Sequence, residues 1–66
     1  MAVLSTKLSA KAIKEEAEKI GLVWHDIEGI EVVHFDDGST VIVAGDGEDA
    51  RKLVEHLVAL GMAEPT

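Results

Sequence analysis

An Asp-Gly pair between two runs of β-branched residues constrains this chain more than any other feature of its sequence. Ile30–Phe35 precedes the segment Asp36–Ser39, and Thr40–Ala44 follows it. Asp-Gly between two apolar runs is a strong hairpin signal, because a two-residue type I′ turn requires a positive φ at both of its central residues. The sequence therefore predicts an antiparallel hairpin that turns at Asp37-Gly38.

Two predicted helices flank this hairpin. The first begins between Ser5 and Ser9, either of which could cap it, and ends at Gly21. The second begins at Asp46, a strong N-cap, and ends at Gly61. Both segments carry an apolar stripe at helical spacing, which comprises Ala10, Ile13, Ala17 and Ile20 in the first, and Ala50, Leu53, Val54, Leu57 and Leu60 in the second.

The segment Leu22–Ile27 decides between two orders of elements. As a strand that turns at Glu28-Gly29 into the hairpin, it gives α-β-β-β-α, an antiparallel meander flanked by two helices. As a loop, it gives αββα. Both orders belong to the α+β class, and we predict the first. We expect a single domain over residues 1–66, with residues 1–6 frayed and residues 63–66 forming a C-terminal tail.

The size and composition of the chain favour association with a partner. A domain of 66 residues buries only a small core, and the chain has no cysteine for a disulfide or a thiolate metal site. Apolar residues nevertheless make up 47% of the chain, which is too high for a disordered one. Small domains without such supports often need a partner, so we expect a homodimer. No apolar run approaches the roughly 20 residues of a membrane span, and we expect a cytoplasmic protein with no membrane contact and no cofactor.

Negative charge is concentrated on the predicted sheet and on the loops at its ends. The chain has a formal charge of −7, and no lysine or arginine occurs between Lys19 and Arg51. That interval contains the carboxylates of Asp26, Glu28, Glu31, Asp36, Asp37, Asp46, Glu48 and Asp49. Such a surface repels phosphate backbones, so we expect no direct nucleic-acid binding. It would suit a basic protein partner.

Strand alternation places apolar residues on both faces of the predicted sheet. With two-residue turns, the face that carries Trp24 and Phe35 packs on the helices, and the opposite face combines aliphatic residues with two histidines. A face in water should be polar, so we interpret this second face as the interface of a twofold dimer, although one helix on each face would also cover it. The predicted interface comprises Val23, His25, Ile27, Ile30, Val32, His34, Val41 and Val43.

The two histidines of this face, His25 and His34, have four interpretations. In the predicted meander they lie diagonally across adjacent strands, roughly 7–8 Å apart. They could form half of a metal site that a second subunit completes, a pH switch within the interface, or a pair of catalytic bases. The simplest interpretation is that they border the apolar face and stay solvated, and we predict no metal site.

No motif in the sequence predicts catalysis. The acidic segments Asp36–Ser39 and Asp46–Asp49 have the composition of calcium-binding loops without their twelve-residue spacing, and a hairpin turn and a helix cap explain them. A domain this small leaves little interior for a substrate pocket. Trp24 is more typical of a core residue than of a binding anchor. We therefore predict that the protein is not an enzyme.

The order of elements resembles that of two known families. A meander between two helices is similar to the double-stranded RNA-binding domain, with Gly45–Leu60 in the place of its second helix. That family binds RNA through lysines at the start of this helix, where this chain has Glu48 and Asp49, followed by Arg51 and Lys52. The αββα order, with the hairpin and capped helix of Ile30–Leu60, resembles a small phage head–tail joining protein.

The sequence therefore predicts a small non-enzymatic interaction module that self-associates through an apolar sheet face. One alternative is an acidic decoy, or a phage-type structural or assembly protein, that presents the carboxylates of Asp26 to Asp49 to a basic protein partner. Another alternative is an engineered or artificial α+β domain with no biological function.

Overall fold

A computed structural model describes all residues from Met1 to Thr66. It contains two α-helices, four strands and one turn of 3-10 helix at Trp24–Asp26. The helices are α1 (Ala10–Lys19) and α2 (Glu48–Ala59), and the strands are β1 (Ala2–Thr6), β2 (Ile30–His34), β3 (Thr40–Ala44) and β4 (Ala63–Pro65). The predicted α+β class is confirmed.

The four strands form one antiparallel sheet in the order β2-β3-β1-β4. β1 lies between β3 and β4, so the N-terminal residues expected to fray are part of the sheet. The expected C-terminal tail contains β4, and the Thr66 amide donates to the Val3 carbonyl at 2.9 Å. Both predictions for the termini are wrong, because these segments become strands only by pairing with residues distant in sequence.

Leu22–Ile27 is not a strand. α1 is followed by Gly21, whose φ of 80° lets the chain reverse so that the Leu22 amide donates to the Ala17 carbonyl at 3.0 Å. The 3-10 turn follows, and the buried Leu22 and Ile27 anchor the segment at its two ends. The predicted three-stranded meander, and with it the resemblance to the RNA-binding domain, is therefore wrong. The order from α1 to α2 is the αββα alternative, with β1 and β4 added outside it.

The two helix starts are capped differently. Ser9 caps α1 as predicted, because its side-chain oxygen accepts a hydrogen bond from the Ala12 amide at 3.1 Å. The N-cap of α2 is Gly47, which has no side chain to accept such a bond, so the prediction of Asp46 as the cap is wrong. Asp46 instead forms an ion pair with the Met1 amine, which lowers the pKa of its carboxyl group.

The β2–β3 hairpin has a three-residue loop instead of the predicted two-residue turn. The Phe35 amide donates to the Ser39 carbonyl at 2.9 Å, and the Gly38 amide donates to the Phe35 carbonyl at 3.1 Å. Gly38 has a φ of 88°, and no residue other than glycine has a positive φ. The loop is therefore a type I turn followed by one glycine in the left-handed conformation. In this loop Asp37 does not need the positive φ that a type I′ turn requires.

This loop shifts the register of the hairpin by one residue and reverses the faces of β2 relative to β3. Side chains alternate along a strand, so a shift of one residue moves each of them to the other side of the sheet. Glu31 now lies opposite Val43, and Val33 lies opposite Val41. The pairs on the other side of the sheet are Ile30 with Ala44, Val32 with Ile42, and His34 with Thr40.

Both helices pack on the same side of the sheet. The core is one cluster in which Leu4, Ile42 and Ala44 of the sheet meet the apolar stripes of the two helices. The remaining members of the cluster are Ile13, Ala17, Leu22, Ile27, Ala50, Leu53, Leu57 and Ala63. The alternative with one helix on each face is therefore wrong, and the opposite side of the sheet has no helix.

Candidate functional site

The side of the sheet without a helix carries an apolar patch, which we call the open face. It consists of Val3, Val33, Val41, Val43 and Phe35. Val33 and Phe35 are 40% and 52% exposed, and the other three residues are partly exposed. Isolated apolar residues are common on protein surfaces, whereas a contiguous apolar patch marks a candidate interaction site.

Strand pairing makes the open face continuous. Val43 lies opposite Val3 on β1 and opposite Glu31 on β2. Val41 lies opposite Val33 on β2. Residues directly opposite one another in an antiparallel sheet have Cβ atoms about 4.5–5.5 Å apart, close enough for their side chains to contact. Val41 and Val43 on β3 therefore form the middle of the open face.

Polar residues border the open face on both edge strands. Glu31 on β2 and Glu64 on β4 are exposed, and Ser5 on β1 lies opposite Glu64. An apolar centre with a polar rim is the usual anatomy of a protein–protein interface. The patch therefore has the composition of a small binding surface.

Only Val41 and Val43, of the eight residues predicted to form an interface, lie on the open face. The other six lie on the helix side of β2 (Ile30, Val32, His34), in the core (Ile27) or exposed in the segment between α1 and β2 (Val23, His25). The prediction that all eight share one face is wrong, because it assumed a third strand and a two-residue turn. A role of Val41 and Val43 at an interface stays a prediction.

Three residues of the open face were missed by the sequence analysis. Val3 was missed because the N-terminus was expected to fray. A two-residue turn at Asp37-Gly38 predicts Val33 and Phe35 on the helix side, and the three-residue loop places them on the open face. Three consecutive turn-forming residues, Asp36–Gly38, also fit a three-residue loop. That reading of the same segment would have placed Val33 and Phe35 on the side of Val41.

The two predicted histidines are not neighbours across a strand pair. His25 lies in the 3-10 turn, whereas His34 ends β2 with its Nδ1 atom 2.8 Å from the Thr40 hydroxyl oxygen. Both side chains belong to exposed residues. No three histidine or carboxylate side chains lie close enough together to hold a metal ion. The predicted diagonal arrangement of the two histidines is therefore wrong.

An ionic cluster that the sequence analysis missed links the two helices. Glu16 on α1 is buried, with one carboxylate oxygen 2.8 Å from Lys19 Nζ and the other 2.9 Å from His56 Nε2 on α2. The hydrogen bond from Lys19, followed by that from His56, lowers the pKa of Glu16. The same hydrogen bond with Glu16 raises the pKa of Lys19. Glu16 follows Ile13 by three residues in the α1 stripe, which is the sequence signal for its inward position.

Four carboxylates line a shallow depression at the start of α2. Asp26 and Glu28 precede β2, and Glu48 and Asp49 belong to the first turn of the helix. Negative charge is favourable at this end of a helix, and no basic side chain lines the depression. The arrangement can attract a cationic group of a partner and repels phosphate.

Neither helix is long and apolar enough to cross a membrane.

Comparisons with known proteins add nothing to these observations. No protein family matches the sequence, no curated protein matches it, and no solved structure matches the fold.

Proposed function

We propose that this chain is a small non-enzymatic interaction module that forms a homodimer through the open face. One observation carries the proposal: both helices pack on one side of the sheet, and Val33, Val41 and Val43 lie on the other. A sheet face in water is normally polar, whereas this face is polar only at its borders. An uncovered apolar sheet face is stabilised when a partner removes it from water.

A second copy of the chain is the partner that suits this face. Two open faces about 10 Å apart, with strands crossing at about 30°, would interdigitate their valines in one apolar layer. The middle of the face is uncharged, so it does not select a basic partner. Glu31 and Glu64 lie on the edge strands and stay in water at the periphery. Twofold symmetry then uses the same patch of each copy.

The area of the open face predicts a weak dimer. Its three strands, β1 to β3, spaced about 4.8 Å apart and about 16 Å long, present roughly 230 Å². A typical stable interface buries about 800 Å² on each partner. We therefore expect a dimer that forms at high protein concentration and dissociates on dilution.

The positions of the ionisable side chains support binding rather than catalysis. Glu16 bonds to Lys19 on its own helix and to His56 on α2, away from both surface depressions. His25 and His34 are separated on the surface. A hydrolytic function would need a nucleophile and a base close together, whereas a binding function does not. We also propose a cytoplasmic location, which suits a chain without cysteine.

The substitution Val41→Lys tests the dimer. Val41 lies at the middle of the open face, opposite Val33 and Ser5, so the lysine would be buried without a partner for its charge. We expect this variant to be monomeric at concentrations at which the original chain is dimeric, as measured by sedimentation velocity over a concentration series. Its circular dichroism should be unchanged, because the side chain points away from the core.

Val23→Lys is the matched control, since Val23 is 58% exposed and lies outside the open face. It should dimerise as the original chain does. A folded Val41→Lys variant that still dimerises would refute the proposal. An original chain that stays monomeric at every concentration would refute it too.

The acidic depression supports a second candidate function, the binding of a basic protein partner. Four carboxylates line it, and only Glu48 is paired, with Lys52 Nζ at 3.3 Å, as expected for an acidic decoy or for an assembly protein that binds a basic surface. Binding of this kind is dominated by charge, so it should weaken steeply as the salt concentration rises.

A lysine-rich peptide is a suitable probe of the depression. Its binding, measured by isothermal titration calorimetry at several salt concentrations, should decrease in the double variant Glu28→Gln/Asp49→Asn. The double variant Glu15→Gln/Glu18→Gln removes equal charge from exposed positions of α1 and serves as the control. Equal effects of the two double variants, or binding that salt leaves unchanged, would exclude the depression as the site.

A further inference from the structure

The two edges of the sheet differ in their ability to pair with a further strand. β4 has three residues and includes Pro65, which has no amide hydrogen, so this edge is protected. β2 has five residues without proline, lysine or arginine, and its outer side is unpaired. An edge strand of this kind is a template for pairing with a further strand.

The alternation of hydrogen bonds identifies the outward-pointing backbone groups of β2. Gly29 and Phe35, which flank the strand, bond to Gly45 and Ser39. In an antiparallel pair every second residue exchanges such bonds, so Glu31 and Val33 also bond to β3. The backbone groups that point away from the sheet belong to Ile30, Val32 and His34. Outside the sheet, no backbone hydrogen bond of the chain uses these groups.

We infer that the outer edge of β2 pairs antiparallel with β2 of a second copy, about a twofold axis between the two Val32 residues. Ile30 then lies opposite the second copy's His34, and Val32 lies opposite the second copy's Val32. Each of these is a hydrogen-bonded pair, in which the two residues exchange both of their backbone hydrogen bonds. This register uses every outward-pointing N–H and C=O group of the strand.

The side chains of β2 select this register over its neighbours. Glu31 lies opposite the second copy's Val33, so the two glutamates do not face one another. A register centred on Glu31 would place the two carboxylates directly opposite, which is unfavourable, and would leave His34 without a partner. A register centred on Val33 would leave Ile30 without a partner.

The helices leave this edge accessible. Val32 is only partly buried and His34 is exposed on the helix side, so neither helix overhangs the outer part of β2. Two copies can therefore approach at the roughly 4.8 Å spacing of neighbouring strands. A second copy is favoured over a foreign strand, because in this register the edge satisfies all of its own outward-pointing backbone groups and places no carboxylate directly opposite another.

Edge pairing also enlarges the open face, although it does not depend on the face-to-face dimer. Because residues directly opposite one another point to the same side, the open faces of the two copies lie on the same side of one eight-stranded sheet. Their combined area is roughly 460 Å², compared with the about 800 Å² that a typical stable interface buries on each partner. The β2 strands are central in that sheet, so Glu31 of each copy lies between the two apolar patches, and face-to-face packing of the enlarged face would bury its carboxylate unfavourably.

Disulfide trapping tests the register, since the chain has no cysteine of its own. Glu31→Cys and Val33→Cys chains, both substituted at exposed positions, are mixed in equal amounts in a glutathione redox buffer. The opposite pair has Cα atoms about 4.5 Å apart, within disulfide range, whereas face-to-face sheets are about 10 Å apart. We expect the mixed disulfide, identified by its mass, to exceed either symmetric disulfide several-fold. A random distribution of the three species would overturn the inference.

Amide hydrogen exchange measured by NMR separates this inference from the face-to-face dimer. In the Val41→Lys variant, at high salt to screen the net negative charge of each copy, the amides of Ile30, Val32 and His34 should become protected as concentration rises. Those of Glu31 and Val33 should be protected at every concentration. Absence of this concentration dependence would overturn the inference whether or not the open faces pack. Protection that appears only when an unrelated β-strand peptide is added would assign the edge to a foreign strand and would also overturn it.

Discussion

The two sides of the sheet are built from similar residues but have different surroundings. On β3, Ile42 is fully buried under the helices, whereas its neighbour Val43 points to the other side and is partly exposed. On β1, Leu4 and Val3 show the same contrast. Both sides are aliphatic, so composition does not distinguish them, and the position of the helices does. The covered side stabilises the fold, which leaves the open face available for binding.

Truncating one residue on each side of β3 should give the largest difference between the two faces. Ile42→Ala leaves a cavity in a core that has few residues to fill it, so we expect a loss of about 2–5 kcal/mol in the free energy of unfolding. Val43→Ala removes only cross-strand contacts, which contribute about 1 kcal/mol or less. Urea denaturation followed by circular dichroism, at a concentration where the chain is monomeric, measures both.

Equal losses in the two variants would contradict the comparison, because they would show that the open face is as well packed in the monomer as the core. The fluorescence of Trp24 gives a second measure of unfolding, since its ring packs against the core and beneath Lys14 Nζ, 5.8 Å from the ring centroid. Agreement between the two probes would support a two-state transition.

The helices and the hairpin could be predicted from sequence because their signals are local. A cap such as Ser9 and a glycine such as Gly21 or Gly61 mark helix ends within a few residues, and the apolar stripes follow from helical periodicity alone. The hairpin needs only its turn residues and two β-branched runs. None of these features requires knowledge of the rest of the chain.

The N-terminal and C-terminal strands, β1 and β4, could not be predicted in this way, because their pairing is non-local. Thr6 on β1 donates its hydroxyl hydrogen to the Met62 carbonyl at 2.6 Å, and Ser5 lies opposite Glu64. A three-residue strand such as β4 carries almost no periodicity of its own. It exists because β1 supplies its hydrogen bonds.

The membership of Val33 and Phe35 in the open face depends on a single residue in one loop. Asp36–Gly38 fits both a two-residue and a three-residue loop, and the choice decides on which side of the sheet Val33 lies. Val41 and Val43 were predicted together, because alternation within one strand does not depend on register. The side of the sheet on which the β2 residues lie relative to those of β3, in contrast, depends on the register. The predicted side of Ile30 and Val32 therefore depended on the length of the loop.

Acid should destabilise the covered side of the sheet through Glu16, with a smaller effect than core truncation. Glu16 is buried between the helices, and its pKa is lowered by hydrogen bonds from Lys19 and His56. Below the ordinary pKa of a glutamate the unfolded chain therefore binds more protons than the folded chain does. The stabilisation by Glu16 is present above that ordinary pKa and is lost as the pH falls through the lowered pKa of the folded state.

We expect Glu16→Gln to be less stable than the original chain at pH 7 and to lose less stability between pH 7 and pH 3, as measured by urea denaturation at each pH. Glu31→Gln is the matched control, since Glu31 is exposed on the other side of the sheet and forms no ion pair within the chain. Its pH dependence should follow that of the original chain. If the two variants had the same pH profile, the link between the helices through Glu16 would contribute nothing, and the covered side would be held together by its apolar residues alone.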